Sequence, residues 1–162
     1  MVVLGIDPGL NVTGYGIVKL AERGPSLIEA GEIKSKPSHP LERRLAELYR
    51  GLTDVVEEFK PDAFAVEELY AHVEHPRTAV IMGHTRGVFF LVAGIADIPV
   101  FSYTATRIKK SLTGNGHATK EQVAGMITRT LCCNDMQGHA DVSDAIAAAL
   151  CHLGAISHGG PL

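Results

Sequence analysis

The 162-residue sequence has no basic excess: 15 Lys and Arg stand against 18 Asp and Glu, a formal charge of −3 with a pI near 6.2. Nucleic-acid-binding domains usually carry a basic pI, so at first sight the balance argues against that class. Long apolar runs are missing too. The longest, Val88 to Ala96, is about half the ~20 residues a transmembrane helix needs, which argues against a membrane partner. The beginning, MVVLGIDPG, has no basic n-region and does not read as a secretory signal. Only three cysteines occur, Cys132, Cys133 and Cys151. An odd count with two adjacent excludes a disulfide framework and a CxxC zinc site, and favours reduced thiols in a cytoplasmic protein. The histidines form no HxH or HExxH pair. There is no repeat and no low-complexity linker. Residues 1–157 therefore read as one domain, with 158–162 as a short flexible tail.

What is present is an α/β pattern. Val2 to Asp7 is a short apolar run ended by Pro8-Gly9, as a buried strand closes on a turn. Val12 to Leu20 and Leu27 to Ser35 read as two further strands, joined through Glu22-Arg23-Gly24-Pro25. The period then changes. Leu41, Leu45, Leu48, Leu52, Val55, Val56 and Phe59 recur at helical spacing, and Pro61 ends the helix. Asp62 to Glu67 reads as a fourth strand, about Thr78 to Ala96 as a second helix, and Ile98 to Tyr103 as a fifth strand. Helices follow at about Thr106 to Leu112, Lys120 to Leu131 and Asp141 to Ile156. The order βββαβαβα predicts a mixed five-stranded sheet flanked by helices. Its fourth strand should lie beside the first and parallel to it. Sites in open α/β sheets form at the carboxyl ends of strands where the order reverses, which is where Asp7 and Glu67 fall.

Taken singly, each acid has an ordinary structural explanation. Asp7 before Pro-Gly opens a turn, Glu67 ends a strand, Asp141 caps a helix and Asp144 complements its dipole. Together they have a shared one. Asp141 and Asp144 are three apart, on one helix face. Four carboxylates gathered at one sheet end cannot all stay ionised without cations. An all-oxygen donor set suits Mg²⁺ or Mn²⁺, and two such ions form a clamp for in-line displacement at phosphorus. Glu67 and Glu68 are alternatives here, because adjacent strand residues point to opposite faces.

These residues resemble the RuvC Holliday-junction resolvases, a family with an RNase H-like fold. The resemblance runs from GIDPGLNVTGYG at 5–16, through FAVEELY at 64–70, GHTRGV at 83–88 and the KK…ATKEQV segment at 109–123, to HADVSDAIAAA at 139–149. It implies a crossover junction endodeoxyribonuclease that resolves four-way DNA junctions by paired symmetric nicks, with two Mg²⁺ or Mn²⁺ ions on Asp7, Glu67, Asp141 and Asp144. The motif register selects Glu67 over Glu68. Lys120 is implied as a catalytic lysine and Tyr70 as an aromatic stacking on a junction base. Arg107, Lys109 and Lys110 form the implied phosphate-positioning patch, with Thr13 as a further DNA contact. The family also implies a homodimer and the branch-migration proteins RuvA and RuvB as partners. The apolar stripe Ile81, Val88, Phe89 and Val92 of the second helix is the expected dimer face. Where family members often carry Ser-Arg in the first turn, this chain has Leu10-Asn11. His139 is not promoted to a ligand.

Three other readings compete. An actin- or hexokinase-like ATP-binding domain needs a second glycine-rich phosphate loop and a second lobe, which the sequence lacks. A non-catalytic RNase H-like module is expected to have lost acids that are all present here. A nuclease for another branched DNA, or for RNA, differs only in substrate. The charge also looks different by segment. Residues 54–68 hold six acids and one base, whereas 103–131 hold five bases and one acid. The whole-chain figure averages an acidic pole with a basic one.

Overall fold

A computed structural model describes residues 1–68, 76–132 and 140–157. The proposed tail at 158–162, Tyr70, Cys133 and His139 lie outside the described residues. Five strands, β1 (Val2–Asp7), β2 (Val12–Ala21), β3 (Gly24–Lys34), β4 (Ala63–Glu67) and β5 (Val100–Tyr103), form one sheet in the order β3-β2-β1-β4-β5. The meander β1-β2-β3 is antiparallel, while β4 and β5 run parallel to β1 on its other side. The order therefore reverses between β1 and β4, as their short and long connections require.

Helices cover both faces. On one, α1 (Leu41–Phe59) and α2 (Pro76–Ile95) bury Leu48, Leu52, Val55, Val56, Phe89 and Val92 against Leu4, Ile6, Ile17 and Phe64. On the other, α3 (Ala105–Thr113), α4 (Lys120–Leu131) and α5 (Ala140–Ser157) share a core with Val3, Val18 and Ala65. Each fully buried aliphatic or aromatic side chain contributes roughly 1.5–3 kcal/mol. Lys60, in the left-handed region at φ 45°, closes α1 by donating its N–H to the Val56 carbonyl at 2.9 Å.

Two features depart most from expectation. The third strand starts at Gly24, not Leu27. Gly24 adopts φ 114°, open to glycine, and so tightens the hairpin until Leu20 pairs with Pro25. Proline is tolerated there because β3 is an edge strand. The second difference concerns hydrophobic length. By length and composition alone, Arg77–Ile95 and α5 are each apolar enough to cross a membrane. A search for uninterrupted apolar runs misses them because Gly, Thr and His interrupt the pattern. Both contribute side chains to the core described above.

The approach of α5 to the sheet depends on two glycines. A methyl group on Gly5 would collide with the Ala145 carbonyl, and one on Gly14 with the Asp141 carbonyl. Without Cβ atoms at these positions the helix backbone lies directly on β1 and β2. Gly14 pairs with Asp7 across the strands. The same gap that admits the first turn of α5 thus brings Asp141 to the end of β1.

Candidate active site

Asp7 and Glu67 end adjacent parallel strands, one step beyond the Ile6–Val66 pair. Asp141 and Asp144 occupy the first turns of α5 above them. All four are half-buried. Asp7 is pushed up from 3.8 to about 7, first by burial and then by the charges of Asp144, Glu67 and Asp141, with Lys120 opposing. Burial and Asp144 likewise raise Glu67 above the ordinary glutamate value, while Lys120 and Lys109 pull it down. The acids therefore act on one another as one electrostatic unit. Glu67 is the half-buried member of its pair and lines a cavity of about 180 Å³ with Lys109, Lys120 and Asp144; Glu68 is exposed.

Lys120 is held by local sequence. Thr119 and Gln122 form a reciprocal capping box, which fixes Lys120 as the first residue of α4. A cation at a helix N-terminus works against the macrodipole. Its compensation comes from α5: the Lys120 Nζ donates to Asp144 Oδ2 at 3.0 Å. That bond and the surrounding acids raise the lysine above its ordinary value, so it stays charged.

The donor set, four carboxylates and no sulfur or imidazole, fits hard divalent cations. Among the described residues, no three acidic, histidine or cysteine side chains already close on one point as a finished ion cage. The fit rests on the donor chemistry and on mutual repulsion, which a cation would relieve.

The remaining expected contacts separate. Lys109 lines the cavity beside Glu67, whereas Lys110 is exposed. Arg107 is exposed and lies over the Tyr103 ring at 4.8 Å. Thr13 must be corrected. It is fully buried, and its hydroxyl donates to the Gly9 carbonyl at 2.7 Å and accepts from the Gly9 N–H at 3.3 Å. It shapes the loop after Asp7 and has no surface to offer DNA. The expected dimer stripe is also divided: Phe89 and Val92 are core, Val88 is half-buried, and Ile81 is exposed. On α2, the exposed large apolar side chains among the described residues are Val80, Ile81, Phe90, Leu91 and Ile95.

Two arginines were not singled out from sequence. Arg44 of α1 donates to the Asn11 side-chain oxygen and, from Nε, to Ser35 Oγ at 3.0 Å. Ser35 in turn donates to the Leu10 carbonyl at 2.5 Å. The Leu10-Asn11 departure thus accompanies a guanidinium delivered from α1 to the loop after Asp7. Arg86 of α2 donates to the Glu67 carbonyl and to Ser102 Oγ at 2.6 Å. The available signal was a charge within an otherwise apolar stretch of α2.

Comparison with known proteins agrees with this architecture. The family profile described as "Crossover junction endodeoxyribonuclease RuvC" matches residues 3–152. A protein of that name from Rhodopirellula baltica is 46% identical over 151 residues, covering 92% of this chain and 84% of the relative. One from Desulforamulus reducens is 39% identical, covering 94% and 93%. The Thermus thermophilus RuvC structure superposes with a TM-score of 0.91 at 32% identity, covering all of both chains. That protein in complex with a Holliday junction substrate gives 0.89 at 29% identity, again covering both chains fully. Profile, sequence and fold agree over nearly the full length: the chain belongs to the RuvC family of crossover junction endodeoxyribonucleases.

Proposed function

We propose that this chain resolves Holliday junctions by nicking two symmetry-related strands through phosphodiester hydrolysis, in DNA recombination and repair. The carrying observation is the coupled carboxylate set at the β1–β4 switch point, with Asp7 raised to about 7 and a charged lysine bound to Asp144. Asp7, Glu67, Asp141 and Asp144 are the proposed ligands of two Mg²⁺ or Mn²⁺ ions. When bound, such ions supply Lewis acidity to the attacking and leaving oxygens of an in-line displacement. Lys120 presents its ammonium to the scissile phosphate, where negative charge develops. Lys109 holds charge on the cavity wall, and Arg107 and Lys110 position the flanking backbone. Tyr70, three residues beyond Glu67 in sequence, is proposed to stack on a base at the junction centre.

Two cuts on symmetry-related strands require two active sites, and each chain carries one such carboxylate set. A second copy is therefore the proposed occupant of the exposed α2 face, where Val80, Leu91 and Ile95 are 59%, 55% and 66% exposed. Gly83, Gly87 and Gly94 have open space where a Cβ would stand. They leave room for close helix approach in an isologous contact. A cytoplasmic setting is proposed on the odd cysteine count with two adjacent; among the described residues Cys132 and Cys151 are not bonded to each other.

The test offers a four-way junction, duplex, single strand and RNA–DNA hybrid in parallel, with Mg²⁺ or Mn²⁺. Paired nicks in the junction alone are expected, with ligatable ends. Equal cleavage of plain duplex or of the hybrid would replace this substrate with another. Leu91→Glu is expected to shift the protein from dimer to monomer in sedimentation and to uncouple the two nicks. A wild-type monomer at micromolar concentration refutes the interface.

A further inference from the structure

The guanidinium of Arg86 gathers three elements. It donates to the Glu67 carbonyl at the end of β4 and to Ser102 Oγ on β5 at 2.6 Å, and it lies over the Phe90 ring of its own helix at 4.9 Å. A partly buried guanidinium is tolerated only where such partners replace water. The peptide unit joining Glu67 to Glu68 receives a second restraint. Its N–H, on Glu68, donates to the Tyr103 carbonyl at 2.9 Å. Both polar ends of this one peptide are therefore held, at the point where the β4–β5 ladder terminates with the Glu67–Tyr103 pair. The ladder holds the peptide before Glu67 and these bonds hold the one after it, so the Cα between them is fixed and its tetrahedral geometry sets the direction of the Cα–Cβ bond. The Glu67 side chain leaves the strand toward Lys109, Lys120 and Asp144, whereas Arg86 belongs to the helix layer on the opposite face.

We propose that Arg86 is a positioning residue for Glu67: by pinning the 67–68 peptide from α2, it keeps the carboxylate aimed at the divalent-cation site. The proposal rests on the two-ion reading above. It involves no contact between Arg86 and substrate or ion. A strand end without this clamp has only the Glu68 N–H bond to hold its last peptide, and the carboxylate then samples directions away from the other acids. Lysine cannot replace the arginine fully, because its ammonium is a point donor and cannot span the two acceptors as the planar fork does.

The experiment compares wild type, Arg86→Ala, Arg86→Lys and Ser102→Ala. Mn²⁺ binding without DNA is followed by the electron paramagnetic resonance of free Mn²⁺, alongside junction binding in EDTA and junction cleavage. Arg86→Ala is expected to raise the half-saturating Mn²⁺ concentration about 10-fold, the low end for groups supporting metal ligands. Arg86→Lys should recover only part of that loss, and Ser102→Ala should shift the midpoint about twofold, since one of the two fork contacts remains. Junction affinity should stay within twofold in all variants. An Arg86→Ala midpoint equal to that of wild type overturns the proposal. So does a parallel fall in junction affinity with a flatter salt dependence, which would make Arg86 a phosphate contact. If Arg86→Ala does not fold, unchanged Mn²⁺ midpoints in both Arg86→Lys and Ser102→Ala overturn it. Failure of wild type to bind Mn²⁺ or to cut the junction refutes the two-ion reading itself.

Discussion

Replacing Asp7 by Asn should abolish cleavage and, in the absence of divalent ions, stabilise the fold. Asp7 titrates near 3.8 when unperturbed and near 7 in the folded chain, raised first by burial and then by Asp144, Glu67 and Asp141. Between those values the folded state holds a proton that the unfolded state has released. Stability therefore falls as pH rises from about 4 to about 7, and is level above that. At ~1.4 kcal/mol per pH unit, the full displacement corresponds to at most about 4 kcal/mol. Because the charge is shared among neighbouring acids and partly screened by solvent, about 1–3 kcal/mol is the expected yield. Asparagine removes this ionisation while keeping nearly the same shape.

For a chain of this length, 1 kcal/mol moves the midpoint of melting by about 2–4 °C, so Asp7→Asn should melt roughly 3–10 °C above wild type at pH 8. The measurement is a set of thermal scans in EDTA from pH 4 to pH 9. The gap should close toward pH 4, where wild-type Asp7 is protonated in the fold and begins to be so in the unfolded chain. Added Mg²⁺ should raise wild type more than the variant, because an ion that binds only the folded form stabilises it by mass action. A variant less stable than wild type at pH 8, or a gap independent of pH, refutes the proposed repulsion at this site.

Three other outcomes follow from the same geometry. Glu67→Gln should reduce junction cleavage by about 100-fold or more, whereas Glu68→Gln should stay within a few-fold, because only Glu67 faces the lysines and Asp144; the reverse order in single-turnover cleavage would move the ligand to Glu68. Lys120→Met should slow cleavage about 100-fold at saturating metal yet tighten Mn²⁺ binding a few-fold, because it removes both the transition-state charge and the competitor for Asp144; weaker Mn²⁺ binding in calorimetry would contradict that competition. Gly5→Ala should destabilise by about 1–3 kcal/mol in urea unfolding, since a methyl there must push the Ala145 carbonyl and α5 off the sheet; a neutral result would show that the helix seat is not tight.

The strand order was readable from sequence because connection lengths fix neighbours: two short turns make the meander, and two helices long enough to cross over return β4 and β5 parallel to β1. The acids at the carboxyl ends of β1 and β4 followed directly. What encodes the depth of the site was not readable in the same way. Gly5 and Gly14 look like weak points in a strand until a helix is seen resting on them. The facing of α2 escaped for another reason. Phe89 and Phe90 are adjacent and both apolar, yet only the former is buried. In a helix apolar nearly all round, periodicity cannot choose the inner side. Arg44 and Arg86 act over separations of 33 and 19 residues, which no local pattern encodes. Thr13 is ambiguous in sequence because its hydroxyl completes a turn of its own chain, a bond that sequence offers equally to backbone or ligand.

The electrostatics explain why an acidic protein can serve a polyanionic substrate. Without ions, four carboxylates share the site with the ammonium bonded to Asp144, and burial first, then the neighbouring acids, raise Asp7 and Glu67. Lys120 sits where a helix dipole disfavours it, and its bond to Asp144 is compensation for that placement. Asp144, were it to hold a divalent cation, would hold Lys120 less firmly, and the ammonium would then be free for the phosphate of the proposed reaction. The charge that opposes DNA in the ion-free protein is thus concentrated where divalent ions would cancel it. Lys109 and Lys120 would then be the charged groups left uncompensated on the cavity wall. Binding should accordingly depend on junction shape and weaken steeply with salt, with only modest affinity for plain duplex.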